Sequence, residues 1–118
     1  MAAAGLALAV LSPAAAGAGE ADVVGVQVRK SGGTYSFQVT VRHADAGWDH
    51  YADRWDVVAP DGTVLGTRKL LHPHVDEQPF TRGLGRVVIP DGVDKVTVRA
   101  HDSVHGLGGA TMTVDVPR

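Results

Sequence analysis

Six histidines and no cysteine set the chemistry open to this 118-residue chain. Without cysteine there are no disulfides, no thiolate nucleophile and no sulfur ligands for zinc or an iron–sulfur cluster. What remains for a transition metal is imidazole, which ligates copper and zinc when neutral, with carboxylates to complete the shell or orient the rings. His72-Pro73-His74 sets two imidazoles two residues apart on a proline-stiffened backbone, and in extended chain such residues point to one side. His101 and His105, with Asp102-Ser103-Val104 between them, can curl toward one centre from a loop. His43 follows Val41 in an alternating apolar run, so it caps a core. Each spacing alone is weaker than a specific motif such as HExxH. Their convergence carries the reading.

Other chemistries fit less well. Asp45, Asp49 and Asp53 recur every fourth residue, unlike the 1-3-5 spacing of a calcium loop, and no Glu closes the set. Asp102 beside His101 suggests a triad with Ser103, but adjacent residues on a strand face opposite ways. No nucleophile elbow, Gly-rich phosphate loop or carboxylate pair at fixed spacing is present. The expectation is therefore a binding domain and not an enzyme. Within it, His50, Asp102 and Glu77 are supporting residues. Glu77 reads first as an ion-pair partner of Arg82 or Arg54, and His50 as a surface or packing residue. Trp48 and Tyr51 read either as an exposed recognition pair or as anchors of a long loop.

The elements that position these residues are strands. From Val23 onward, apolar and polar residues alternate with period two, and turn residues interrupt every eight to twelve positions. The predicted strands are 22–30, 34–43, 54–59, 63–72, 80–89, 95–101 and 110–116. Val24, Val26 and Val28 share one face of the first, and Tyr35, Phe37, Val39 and Val41 point inward from the second. Trp55 and Val57 serve the third, Val96, Val98 and Ala100 the sixth, and Met112, Val114 and Val116 the seventh. Gly83 and Gly85 predict a bulge or a change of sheet in the fifth. Pro60-Asp61-Gly62 and Pro90-Asp91-Gly92 are turns, in which Pro presets φ and Gly accepts a positive one.

Alternating strand direction sorts the loops between two poles. The loops after the second, fourth and sixth strands share one pole, and they hold or adjoin all six histidines. The Pro-Asp-Gly turns take the other. From this placement we expect a metal centre of copper or zinc built from His43, His72, His74, His101 and His105.

Residues 1–18 are uncharged, with an apolar stretch of about ten residues, then Ser12-Pro13 and Ala16-Gly17-Ala18. About 20 apolar residues are needed to span a bilayer, so this predicts no stable membrane span. The pattern is that of a signal peptide over residues 1–18 with cleavage after Ala18, or second after Ala16. The domain would be 19–118, periplasmic or secreted. A net charge of −2 and a pI near 6.3 argue against nucleic-acid binding.

Seven short strands, Trp55 on the third, and the phrases GWDHYADRW, LHPHVDEQPFTR and AHDSVHG are similar to a small exported bacterial immunoglobulin-like or fibronectin III-like β-sandwich domain. The resemblance implies an all-β, seven-stranded antiparallel sandwich with a buried Trp55. A small closed β-barrel is the alternative. The partner is a metal ion or, with the same loops and no metal, a protein or glycan.

Overall fold

The computed structural model describes residues 19–118, and the signal peptide expected over residues 1–18 lies outside them. The alternating sequence forms seven strands: β1 (Asp22–Ser31), β2 (Thr34–Arg42), β3 (Ala52–Val58), β4 (Val64–Lys69), β5 (Phe80–Val87), β6 (Lys95–Asp102) and β7 (Met112–Asp115). All pairings are antiparallel. One sheet has the order β1-β2-β5 and the other β4-β3-β6-β7, and among the described residues there is no helix. Two separate sheets, and not a closed barrel, bury the apolar faces.

The core lies between them. Trp55, Phe37, Val39, Val41, Val57, Val96 and Val98 have essentially no exposed surface, and Tyr35, Phe80 and Val87 complete the packing. Burying an aliphatic or aromatic side chain of this size contributes about 1.5–3 kcal/mol. The inward registers of β2 and β6 are those expected from their alternation.

Local register departs from expectation in three places. A bulge between Val23 and Gly25 turns Val23 inward and leaves Val24 exposed, so Val24 does not share the face of Val26 and Val28. In β5 the irregularity expected near the glycines is a register shift opposite Tyr35–Phe37, with Arg86 at φ 59°. β5 stays in one sheet throughout. β4 ends at Lys69; one step further the Leu70 amide still bonds to the Asp53 carbonyl (3.0 Å), and Leu70 is buried. His72 therefore sits in the β4–β5 loop and not on a strand.

Candidate metal centre

Two inward registers end in polar residues. Just past the end of β2, the next inward position after Val39 and Val41 is His43, 3% exposed, and on β6 the position after Val98 and Ala100 is Asp102, with no exposed surface. The two strands run to the same pole in opposite sheets, so these side chains meet across the sandwich. His43 Nε2 is 2.9 Å from Asp102 Oδ2.

The loops add two more imidazoles. His50, from the β2–β3 loop, brings Nε2 to 3.0 Å from the same oxygen, and His105, after β6, brings Nδ1 to 3.0 Å. Asp102 Oδ1 accepts the amides of Val104 (2.7 Å) and His105, which fixes the carboxylate plane. Burial alone would raise the Asp102 pKa. The His105 amide and the His105 and His50 rings outweigh it and hold the carboxyl well below the usual range. Asp102 is an anion at neutral pH. Its hydrogen bond in turn raises the His105 pKa, against a smaller effect of burial.

His43 is held at both nitrogens. Its Nδ1 contacts Asp45 Oδ1, which also accepts the Ala52 amide at 3.0 Å, while Asp45 Oδ2 accepts the His74 amide at 2.7 Å. The His43 amide donates to Gln78 Oε1 (2.9 Å), and Gln78 Nε2 donates to the His74 carbonyl (2.8 Å). With Nδ1–H given to Asp45, Nε2 is the free ring nitrogen. It faces only oxygens, Asp102 Oδ2 and the Gly19 carbonyl at 3.0 Å. A buried carboxylate orienting the far side of an imidazole is the support that metal-binding histidines characteristically use.

Ligand atoms of His43, His50 and Asp102 all lie within 4.8 Å of one another. Ligands held at the usual 2.0–2.2 Å from one ion are about 2.9–3.5 Å apart, a range that includes the two hydrogen-bonded N–O separations of 2.9 and 3.0 Å.

The remaining expected residues lie elsewhere. His105 touches the Asp102 oxygen, at the edge of the group. His74 is buried beyond Asp45, stacked on Phe80 at 3.9 Å between centroids. Among the described residues neither of its ring nitrogens has a hydrogen-bond partner, and Nδ1 is 3.9 Å from Asp45 Oδ2. Burial, with Arg82 and His72 nearby, lowers the His74 pKa. His72 is exposed, with its ring 4.6 Å from that of His74. His101 points to the outer face of its sheet, where Nδ1 is 2.6 Å from Asp53 Oδ1. Glu77 pairs with Arg82 at 3.3 Å, away from the cluster. Ser103 Oγ accepts the Tyr51 amide, so that hydroxyl is spent on the loop.

From sequence alone Asp102 and His50 take supporting places, and Asp45 has no role toward the histidines. Extending the β6 alternation by one step would have turned Asp102 inward. The positions of Asp45 and His50 follow from loop conformation, for which the sequence holds no periodic signal.

Together fold and site define a two-sheet, all-β domain with a buried His/Asp cluster at one pole. No protein-family model matches the sequence. A protein of Halomicrobium mukohataei described as "Putative lipoprotein" is 46% identical over 97 residues. The alignment takes in 81% of this chain and 47% of that protein, so the chain spans about half the length of this curated relative. Among solved structures, the fold is similar to that of a hypothetical protein from Pyrococcus horikoshii OT3 (TM-score 0.55, 12% identity, 84% of this chain and 90% of that one). It is also similar to a superoxide reductase in the oxidized state (TM-score 0.51, 12% identity, 85% of this chain and 90% of that one). Likeness at this identity concerns the fold alone.

Proposed function

We propose that this chain is an exported binding domain that holds one transition-metal ion, copper or zinc, between His43, His50 and Asp102. The observation that carries the proposal is the convergence of His43 Nε2 and His50 Nε2 on one ionised, buried carboxylate oxygen, with Asp45 behind His43. Copper(II) binds more tightly than zinc to such a nitrogen–oxygen set when both are offered equally. The Ala16-Gly17-Ala18 segment supports export, as does a relative described as a lipoprotein. Among the described residues no helix is long and apolar enough to cross a membrane. The two-sheet, seven-stranded antiparallel arrangement supports an immunoglobulin-like assignment of the sandwich, with β4 beside β3 and not in the sheet of β1, β2 and β5.

Titration calorimetry with Cu(II) and Zn(II) on wild type, His43→Ala and His50→Ala tests the proposal. Wild type should bind one equivalent, and both variants should lose most of the affinity. Wild-type binding no tighter than millimolar would overturn it.

A second function has its own support. Trp48, Leu71, Val75, Val104 and Leu107 are exposed in the loops of this same pole, an apolar set suited to a protein or glycan partner. If no metal binds, this surface is the remaining candidate.

A further inference from the structure

The Gly19 carbonyl oxygen lies 3.0 Å from His43 Nε2 and 3.2 Å from His50 Nε2, inside the cluster just described. The main chain here is firmly held. The Val23 amide bonds to the Ala110 carbonyl, and the Ala110 amide to Asp22 Oδ1, each at 2.8 Å. Ala21 is 1% exposed. Gly109 makes room for the Ala21 carbonyl, since a Cβ there would stand 1.9 Å from it. Gly108 likewise makes room for the Glu20 carboxylate. Gly19 itself has φ 84°, and a Cβ on it would come within 2.7 Å of His105 Cε1. Only glycine fits this place, pressed between a histidine ring and the candidate ligands.

Gly19 is also the residue that follows Ala16-Gly17-Ala18. We propose that cleavage after Ala18 frees an α-amino group that becomes a further ligand of the metal, with Gly19 chelating through its amine nitrogen and carbonyl oxygen. The inference rests on the metal-binding function proposed above. In the uncleaved chain the Gly19 nitrogen is an amide whose lone pair is delocalised into the carbonyl, so it is a poor ligand. Hydrolysis by a signal peptidase adds one water across the Ala18–Gly19 bond, leaving a carboxyl on Ala18 and an amine on Gly19. That amine, once it has released its proton, offers a localised lone pair. Nitrogen, Cα, carbonyl carbon and oxygen then close a five-membered ring with the metal. Backbone anchoring at Ala21 and Val23 means little ordering remains to be done on binding. The full-affinity site would therefore exist only after export, and the precursor would compete less well for cytoplasmic metal.

The test compares three samples of the full-length gene product. One is exported and processed, one is produced without export so that the precursor stays intact, and one is the processed chain acetylated at its α-amine. Intact mass should place the mature start at Gly19. Supporting residues around a metal change affinity by about 10–100-fold, so loss of a direct ligand should weaken Cu(II) binding at least about tenfold in the precursor and the acetylated chain. The electron paramagnetic resonance spectrum of the copper-loaded processed protein should show one more coupled nitrogen than either. Equal affinity and equal spectra in all three, with binding still lost in His43→Ala, would overturn this inference and leave the metal site standing. A mature chain beginning at Gly17 would overturn it too. Failure of the processed wild type to bind metal would remove both.

Discussion

His43 Nε2 and Asp102 Oδ2 lie 2.9 Å apart across the two sheets, each at the polar end of an otherwise apolar inward register. An ionisable pair where the core should close is costly unless its hydrogen bonds are met, and here nearly every atom of it has a partner.

Asp45 acts on a metal through His43. Asp45→Asn keeps the shape but has one oxygen to replace two, so it cannot serve the Ala52 and His74 amides and His43 Nδ1 together. Copper affinity should fall about 10–100-fold, as for supporting residues in other metal sites. Calorimetry checks this, with circular dichroism reporting whether the sheets persist.

His72 and His101 separate convergence from mere abundance of histidine. Both sit at this pole, yet one is exposed and the other bonds to Asp53 on the outer face. His72→Ala and His101→Ala should leave metal affinity unchanged in the same titration in which His43→Ala loses most of it. Equal losses in all three would point to nonspecific surface binding.

The two tryptophans should differ in stability effects. Trp55 is fully buried and Trp48 is 66% exposed. Trp55→Ala should cost about 3–5 kcal/mol, the range for large buried aromatics. Trp48→Ala should stay within about 0.5 kcal/mol. Urea unfolding midpoints measure both.

His74 should make the metal-free protein less stable in mild acid. Its folded-state pKa lies below the ordinary value, chiefly from burial, with Arg82 and His72 adding to it against Asp45 and Glu77. The unfolded chain therefore takes up this proton first, and stability falls as pH drops below about 6.5. His74→Phe keeps the stack on Phe80 and the backbone bond to Asp45. Between about pH 7.5 and about pH 5.5, its unfolding midpoint should drop less than that of wild type.

The sequence by itself determined the strands, because a period of two in valine, tyrosine, phenylalanine and tryptophan has only one way to bury itself. It determined the turns at Gly62 and Gly92, with φ of 93° and 92°, through local chemistry. It also sorted the histidines to one pole, since antiparallel order assigns loops to ends before any packing is known. Which histidines meet was decided only in three dimensions. His43 and Asp102 are 59 residues apart and belong to different sheets, so their contact exists only when the sheets pack face to face. His50 and Asp45 come from a loop without periodicity, placed by hydrogen bonds to residues as distant as Asp102 and His74. His101 was lost to the outer face by the same alternation that turns its neighbour Asp102 inward. Periodicity is a local property of the chain and can be read from it. The site is a set of long-range contacts, and only the docking of one sheet on the other creates them.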